Sequence, residues 1–220
     1  MKDLFVVGDV QGCHAELLEL LSVAKFDRAR HQLASVGDLI NRGPSSKAVL
    51  ELMRDFDAWV VLGNHEDGLL AGKQSDTLDR VRRELGADLP EWLLWIDALP
   101  VYREFGRELG RELGHELENL ILVHAGIAPG KRPAECTRGE LTRIREVDGV
   151  PWFESWKGPE TVIYGHWAMM GKVDRPLVKG LDTGCVYGRS LTGIWWPRCE
   201  WVSVPAHRVW FDMESHRPTW

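Results

Sequence analysis

Residues 4–13 read LFVVGDVQGC, an apolar run that stops abruptly at a glycine and an aspartate. A continuous run of four apolar residues is typical of a short strand that is buried on both faces. The aspartate that follows, Asp9, would then lie just beyond the carboxyl end of that strand. This stretch therefore predicts a buried strand with a carboxylate at its end.

Four further stretches have the same form, and each ends in a polar residue that could bind a ligand. Because strands alternate with helices in α/β proteins, and ligands bind at the carboxyl ends of the strands, we expect all five polar ends to meet at one edge. The four stretches are LASVGD at 33–38, WVVLGNH at 59–65, LILVHAG at 120–126 and TVIYGH at 161–166.

Apolar residues recur with a helical period between the first three predicted strands. The second of these helices has a plausible start at Pro44, which two serines follow. One longer helical stretch is expected after His65, as far as Leu85, and a short helix covers Glu91 to Leu99. The apolar residues that define the helical faces are Leu17, Leu21, Ala24, Val49, Leu52, Phe56, Leu69, Leu78, Val81 and Leu85.

The C-terminal third of the chain is rich in alternating, strand-like segments. We predict strands at 177–181, 191–196 and 201–204, and we interpret them as the second sheet of a two-sheet core. A glycine at every fourth position from 106 to 114 disfavours a helix, so residues 105–118 are predicted as a surface insertion. At 220 residues the chain suits a single α/β domain covering 1–220.

The composition, net charge and cysteine spacing indicate which class of protein the chain belongs to. A hydrophobic content of 44% with 27% charged residues is ordinary for a soluble globular protein. The net charge of −6 argues against an extended nucleic-acid surface. The four cysteines lie far apart, so no disulfide framework is predicted. The N-terminal apolar run is too short for a signal peptide, and no run approaches the roughly 18 residues of a membrane span. We therefore expect a cytoplasmic protein without a membrane partner.

The residues expected at the sheet edge are Asp9, Asp38, Asn64, His124 and His166. Carboxylate, amide and imidazole groups together suit a pair of divalent ions such as manganese, iron, cobalt, nickel or zinc. Two such ions, about 3.5–4 Å apart, can activate a bridging water and stabilise an in-line phosphoryl displacement. The pattern thus indicates phosphoryl chemistry.

Five motifs in this order resemble the motif series of the calcineurin-like phosphatases, GDxHG, GDxxDRG, GNHE, HAG and GH. The ending GHWAMMGK, followed by LDTGCVYGRSLTG, is similar to the symmetrical diadenosine tetraphosphatases within that superfamily. The resemblance covers nearly the whole chain and implies a four-layer α/β/β/α sandwich of two mixed sheets flanked by helices. The five motifs are GDVQGC at 8–13, GDLINRG at 37–43, GNHE at 63–66, VHAG at 123–126 and YGH at 164–166.

The resemblance also implies a role for each matching residue. Asp38 would bridge the two metals, Arg42 would bind a phosphate oxygen of the substrate, and His65 would be the general acid. Metal ligands under this resemblance are Asp9 and Gln11 for the first ion, and Asn64, His124 and His166 for the second.

Two residues depart from the superfamily pattern. Gln11 occupies a position where many members carry a histidine ligand, and its neutral amide favours harder ions. We therefore expect Mn²⁺, with Mg²⁺, Co²⁺, Fe, Zn²⁺ and Ni²⁺ as alternatives. Asn41 replaces an aspartate that orients and charges the general-acid histidine in related protein phosphatases. Since a nucleoside diphosphate is a good leaving group, this replacement favours cleavage of an anhydride over cleavage of a monoester.

The sequence leaves three further assignments open. Glu66 either pins a loop or contacts substrate. Asp182 either supports His166 by a hydrogen bond or occupies a structural turn. The segment 127–160 is expected to link two motifs and cap the active site. Five of its basic residues either contact a polyphosphate chain or form a solvated face, namely Lys131, Arg132, Arg138, Arg143 and Arg145.

Three functions are therefore considered. The favoured one is symmetrical hydrolysis of diadenosine tetraphosphate to two ADP by a metal-bridged water, with a dinucleoside polyphosphate as the small-molecule substrate. The second is a Ser/Thr or Tyr protein phosphatase, acting on phosphoproteins, or a broad phosphomonoesterase. The third is a non-catalytic metal-binding module. Retention of Arg42 and His65 argues against the third, because a module that only binds metal does not need a general acid.

Overall fold

Residues 3–106 and 119–212 are described by the structure, a computed structural model, and they contain twelve strands and six α-helices. The strands are β1 (Asp3–Val7), β2 (His31–Ser35), β3 (Trp59–Val60), β4 (Tyr102–Phe105), β5 (Leu120–Val123), β6 (Glu146–Val147), β7 (Val150–Pro151), β8 (Thr161–Tyr164), β9 (Val173–Arg175), β10 (Val178–Gly180), β11 (Ser190–Trp196) and β12 (Glu200–Pro205). The helices are α1 (His14–Val23), α2 (Ser46–Asp55), α3 (Asn64–Leu70), α4 (Asp76–Leu85), α5 (Leu89–Asp97) and α6 (Arg138–Arg143).

Two mixed five-stranded sheets form the centre of the protein. The first has the order β12-β11-β1-β2-β3, in which β1, β2 and β3 are parallel. The second has the order β4-β5-β8-β10-β9, in which β5, β8 and β10 are parallel. The carboxyl ends of the parallel strands therefore lie at one edge of each sheet, as their polar ends predicted. A separate short hairpin consists of β6 and β7.

Alternation along β1 explains how the layers pack. Leu4 and Val6 face the second sheet, whereas Phe5 and Val7 pack beneath helices α1 to α5. Successive side chains of a strand point to opposite faces, so a run that is apolar throughout is buried on both. On the far side of the second sheet, α6 and the turn at Trp152–Ser155 form the outer layer. The expected four-layer α/β/β/α sandwich of two mixed sheets is confirmed.

The prediction of one long helix after His65 is wrong, because the chain forms two helices there. Helix α3 ends at Leu70, and α4 begins only at Asp76. Gly72 between them has a φ of +69°, which is incompatible with a continuous right-handed helix. The hydroxyl of Ser75 then accepts a hydrogen bond from the N–H of Leu78 and caps the new helix.

The C-terminal third does not form one sheet, contrary to the prediction. Strand β10 joins the second sheet, but β11 and β12 join the first, where β11 lies antiparallel to β1. Alternating apolar residues predict a strand without indicating its partner, so the sequence pattern could not distinguish these placements. The predicted insertion at 105–118 lies outside the described residues from position 107 onward. Among the described residues, none of the helices combines the length and apolar character needed to cross a membrane.

A buried carboxylate joins the loop after β2 to helix α3. Glu66 has no exposed surface, and its Oε1 accepts hydrogen bonds from the N–H groups of Leu39 and Ile40 at 2.8 and 3.1 Å. Its Oε2 accepts from the N–H groups of Asp38 and Gly63 at 2.9 and 3.1 Å. These four bonds fix the loop that carries Asp38, so the geometry fits the loop-pinning alternative for Glu66.

Replacing Glu66 by Gln should therefore destabilise the fold strongly. The amide keeps one oxygen and places an NH₂ group against two buried N–H donors, at a cost of about 3 kcal/mol. The thermal midpoint should fall by roughly 6–12 °C in a differential scanning experiment. Glu91→Gln is the matched control, because the Glu91 side chain is exposed and should change stability by less than about 0.5 kcal/mol. Equal midpoints for the two variants would contradict the pinning role.

Candidate active site

Five polar residues from distant parts of the chain meet where the two sheets face each other. Asp9, Asp38 and Asn64 follow β1, β2 and β3 of the first sheet, and His124 and His166 follow β5 and β8 of the second. The two sheets are joined here directly, because both carboxylate oxygens of Asp9 accept from the N–H of His166 at 3.1 Å. The structure brings these residues together at one edge, as the sequence pattern predicts.

The amide oxygen of Asn64 is the point on which both imidazoles converge. Asn64 Oδ1 lies 3.0 Å from His124 Nε2 and 2.7 Å from His166 Nδ1. Asp38 Oδ1 lies 3.4 Å from the same His124 nitrogen. One ligand atom each of Asp38, His124 and His166 lies within 4.8 Å of the others. Such spacing places these side chains around one common point.

Backbone carbonyls fix which imidazole nitrogen faces that point. His124 Nδ1 lies 2.8 Å from the carbonyl oxygen of Val36, and His166 Nε2 lies 3.2 Å from that of Arg143. A carbonyl accepts only, so each of these nitrogens carries the proton and leaves the lone pair of the other nitrogen directed at Asn64. Burial lowers the pKa of His124 to about 4 and that of His166 to about 2, which keeps both rings neutral.

Carboxylates crowd the other half of the site. Asp9 and Asp182 lie side by side, and Asp182 also accepts from the N–H of Gly184 at 3.1 Å. Gln11 Nε2 lies 3.5 Å from Asp38 Oδ2. Burial, and then the charges of Asp182 and Asp38, raise the pKa of Asp9 well above its usual range. Burial also raises the pKa values of Asp38 and Asp182 to about 6.

This donor set fits divalent cations. Oxygen atoms and imidazole lone pairs face each other without a proton between them, and buried carboxylates repel one another unless a positive charge is present. The residues form two ligand groups that share Asp38. The first group contains only oxygen-bearing side chains, whereas the second has the mixed nitrogen and oxygen ligands of a transition-metal site. The first consists of Asp9, Gln11 and Asp38, and the second consists of Asp38, Asn64, His124 and His166.

Asn41 holds the ring of His65 in one tautomer. The N–H of Arg42 donates to Asn41 Oδ1 at 2.9 Å, so the Asn41 NH₂ group is directed at His65 Nδ1, with which it forms a hydrogen bond. Since an NH₂ group only donates, Nδ1 must accept, and the ring proton lies on Nε2. That nitrogen is 3.5 Å from Asp38 Oδ2. Burial, followed by the charge of Arg42, lowers the pKa of His65 well below its usual value.

Arg42 is positioned by a residue that the sequence analysis missed. Its guanidinium donates a hydrogen bond to the hydroxyl of Tyr187 and lies 5.5 Å from the centre of the Tyr187 ring. It also lies 5.3 Å from the ring of Phe211. Both aromatic residues are more than 140 positions away in the sequence, which is why local motifs gave no signal for them.

Four of the five basic residues singled out in segment 127–160 form ion pairs with acidic side chains, and the fifth lines the active-site cavity. Arg138 and Arg143 pair with Asp67, with 2.6 Å between Arg138 Nε and Asp67 Oδ1. Arg145 instead donates to the carbonyl oxygen of His166 at 3.2 Å and lines the active-site cavity. Lys131 pairs with Glu140, and Arg132 pairs with Glu160 and more distantly with Glu104.

The structure shows the contacts of Asp182 and of segment 127–160, two of the assignments that the sequence leaves open. Asp182 contacts Asp9 and the Gly184 N–H, whereas the ring of His166 is held by the carbonyl of Arg143. The support that Asp182 could give is therefore directed at Asp9. Segment 127–160 packs mainly on the outer face of the second sheet, and Arg145 is the part of it that reaches the cavity. Its role as a cap stays a prediction.

A cavity of about 280 Å³ opens over these residues. Arg42 and Arg145 line one part of it, and Trp167, Met169 and Tyr187 provide aromatic and apolar surface. Trp167 is half-buried and Met169 is 65% exposed, so both are available to a ligand. The cavity therefore offers cationic groups and flat apolar surface within the same space.

The comparisons with known proteins identify a family and several relatives of the chain. The family model for calcineurin-like phosphoesterases matches residues 3–219. Two curated relatives carry the name bis(5'-nucleosyl)-tetraphosphatase, symmetrical. The protein from Coxiella burnetii (strain CbuK_Q154) is 30% identical, with 93% of this chain and 92% of that protein covered. The protein from Psychromonas ingrahamii is also 30% identical, with 93% and 97% covered.

A solved structure gives the same result in three dimensions. A crystal structure provisionally described as a diadenosine tetraphosphatase is 31% identical, with a TM-score of 0.81. The match covers 93% of this chain and 94% of that one. The alignment with the Coxiella burnetii protein is 278 residues long, which exceeds the 220 residues of this chain, so that relative carries segments absent here.

Gly165→Ala should weaken metal binding although it replaces no ligand residue. A Cβ at this position would lie 2.0 Å from Asp9 Oδ1, so the Asp9 carboxylate must move. We expect Mn²⁺ binding, followed by isothermal titration, to weaken at least about tenfold, since ligand displacements of this size are costly. Gly139→Ala is the control, because the nearest atom to its added Cβ is 3.9 Å away. Unchanged Mn²⁺ affinity in Gly165→Ala would refute this account of the site.

Proposed function

The chain belongs to the calcineurin-like phosphoesterase family and is a hydrolase of phosphate esters or anhydrides; within this class, we propose that it cleaves diadenosine tetraphosphate symmetrically into two ADP. The similarity to symmetrical tetraphosphatases over more than nine-tenths of the chain carries the proposal. The substrate would be a dinucleoside polyphosphate, bound in the cavity that Arg42, Arg145 and Trp167 line.

Two divalent ions are part of this proposal, with Mn²⁺ as the expected metal. Asp38 would contribute to both ions, because its two oxygens face different neighbours: Oδ1 faces His124 and Oδ2 faces Gln11. When bound, a pair of divalent ions lowers the pKa of a shared water and offsets negative charge on the phosphoryl oxygens. The neutral oxygen of Gln11 favours a hard ion such as Mn²⁺ over a soft one.

Arg42 would orient the phosphoryl group that is attacked. Its planar guanidinium can donate two parallel hydrogen bonds to phosphate oxygens, and the Tyr187 hydroxyl limits its freedom before substrate arrives. Arg145, at the rim of the cavity, would meet the negative charge of a more distant phosphate. A tetraphosphate chain presents several such charges, whereas a simple monoester presents one. Two arginines on one cavity therefore favour the longer substrate.

The tautomer of His65 supports anhydride cleavage. With Nδ1 occupied as an acceptor of the Asn41 amide, His65 can donate a hydrogen bond through Nε2 but cannot carry a proton on both nitrogens. A neutral imidazole stabilises a leaving oxygen without fully protonating it. A serine alkoxide needs that proton, whereas the terminal phosphate of ADP leaves as a stable anion, since its second pKa is about 6.

The apolar wall of the cavity supports a nucleotide substrate. Trp195 and Trp196 are buried in the core, whereas Trp167 lines the cavity beside Met169. A nucleobase can stack on an indole ring, and such stacking contributes about 1–3 kcal/mol per base. We therefore assign Trp167 to adenine contact.

A Ser/Thr or Tyr protein phosphatase, or a broad monoesterase, is the second candidate. The observation that favours it is the missing length relative to the tetraphosphatases, which would leave a more open cleft. The non-catalytic module gains no support, because the family is one of enzymes and Arg42 and His65 both face the cavity.

Chromatography of the products tests the proposed function. Purified protein incubated with diadenosine tetraphosphate and Mn²⁺ should give ADP alone, because a symmetrical cut divides the four phosphates equally. Turnover should fall at least about a hundredfold in His124→Ala, which removes an imidazole from the metal-binding group, and when the metal is chelated. AMP together with ATP would exclude symmetrical cleavage. Faster hydrolysis of a phosphoserine peptide than of diadenosine tetraphosphate would favour the second candidate.

Asn41→Asp should shift the preference toward monoesters. An aspartate would accept from His65 Nδ1–H, so the ring could carry two protons and act as a general acid. We expect kcat/KM for a phosphoserine peptide, divided by that for diadenosine tetraphosphate, to rise about tenfold, because the serine alkoxide is the leaving group that needs a general acid.

Asn41→Ala separates this effect from a general disturbance of the loop. It removes the donor to His65 without supplying an acceptor, so the ratio of the two kcat/KM values should not rise. A similar rise in both variants would show that the tautomer of His65 does not set the preference.

A further inference from the structure

A second cluster of metal-ligating side chains lies outside the catalytic centre. It consists of Cys13, Glu16 and Cys185, whose ligand atoms all lie within 4.8 Å of one another. All three residues are buried, with at most 1% of their surface exposed. The proposed reaction uses none of them, so this cluster needs a separate explanation.

Local structure brings these residues together from two parts of the chain. Cys13 is the residue before α1, and Glu16 lies three positions later on the same face of that helix. Cys185 lies in the loop between β10 and β11. The loop after β1 and the loop after β10 thus meet at this cluster, directly behind the catalytic edge.

One carboxylate oxygen in the cluster has no hydrogen-bond partner among residues 3–106 and 119–212. Glu16 Oε1 accepts from the backbone N–H of His207 at 3.0 Å and from the indole N–H of Trp210 at 2.6 Å. Glu16 Oε2 is buried and accepts none from the part of the chain that the structure describes. Leaving a buried acceptor unpaired costs about 1–3 kcal/mol. The Glu16 carboxylate, which lies beside the two sulfur atoms, thus keeps an oxygen that could bind a cation.

We propose that Cys13, Glu16 and Cys185 bind one thiophilic divalent cation of the Zn²⁺ class. Binding forms two metal–sulfur bonds and one metal–oxygen bond, and each thiol releases one proton to solvent. Cysteine thiolate and glutamate carboxylate are both ligands that Zn²⁺ uses in proteins, and a water molecule would complete the tetrahedron. The proposal does not depend on the function proposed above.

Ligand chemistry separates this site from the catalytic centre. The catalytic residues offer nitrogen and oxygen alone, which suits Mn²⁺ and similar ions, whereas thiolate selects softer ions. Cys13 is two positions from Gln11, and Cys185 is three positions from Asp182. A cation held here would therefore link the two loops that carry Gln11 and Asp182, and its role would be structural.

Cobalt is a suitable probe, because thiolate-bound Co²⁺ has an intense charge-transfer absorption that nitrogen- and oxygen-bound Co²⁺ lacks. The fully reduced full-length protein is titrated with Co²⁺ and followed by absorption. We expect one equivalent of thiolate-bound Co²⁺, displaced by Zn²⁺, and a higher thermal midpoint in the Zn²⁺-loaded protein. His124→Ala should keep the absorption, which excludes the catalytic centre as its source.

Variants assign the absorption to the cluster. Cys13→Ser and Cys185→Ser should each lose it, Glu16→Gln should weaken Co²⁺ binding at least about tenfold, and Cys136→Ser should keep it. Circular dichroism verifies that each variant is folded; if one serine variant does not fold, the other and Glu16→Gln decide. The proposal is overturned if no charge-transfer band appears while all four thiols titrate as reduced, or if the band persists in both serine variants. A Cys13–Cys185 disulfide in the isolated protein that reforms in preference to binding Zn²⁺ would also overturn it.

Discussion

The four hydrogen bonds that the Glu66 carboxylate accepts are the constraint on which the catalytic edge depends. They tie the backbone of the loop after β2 to the start of α3, so Asp38 and Asn64 cannot move independently. A further bond, from the N–H of His65 to Asp38 Oδ1 at 2.9 Å, closes the same unit. Two motifs that are 26 residues apart in the sequence thereby behave as one rigid element, which a site with precise ligand distances requires.

The loops at this edge contain several residues in unfavourable backbone conformations. Gln11, Asp38, Asn41, Arg42 and His166 all have positive φ, a conformation that non-glycine residues rarely adopt. The carboxylates of Asp9, Asp38 and Asp182 also lie close together, and the lone pairs of His124 and His166 are directed at the amide oxygen of Asn64, so the folded chain holds repulsion that bound cations would relieve. Strand burial explains why strain and repulsion can persist here. The surrounding strands are parallel within each sheet and mostly buried, which leaves the loops little freedom to relax.

Much of the fold was predictable, and the reasons differ between elements. Strands β5 and β8 begin and end at the predicted residues, because continuous apolar runs bounded by polar residues leave little ambiguity. The site residues were predictable because each follows such a run. The carbonyl partners of His124 and His166, and the Tyr187 hydroxyl beside Arg42, were not predictable. Backbone carbonyls have no sequence signature, and the contact with Tyr187 joins residues 145 positions apart.

The pairing of the basic residues bears on how the cavity selects its ligand. Most of the positive charge in segment 127–160 is neutralised by Glu140, Glu160 and Asp67, so it stabilises that layer of the fold. The positive charge that faces the cavity comes from Arg42 and Arg145. An exposed ion pair contributes little energy, whereas a guanidinium at the mouth of a partly enclosed cavity meets phosphate where water is limited. Selection among phosphate compounds should therefore depend on the distance between these two arginines, since a chain of phosphates can span a wider separation than a single phosphate.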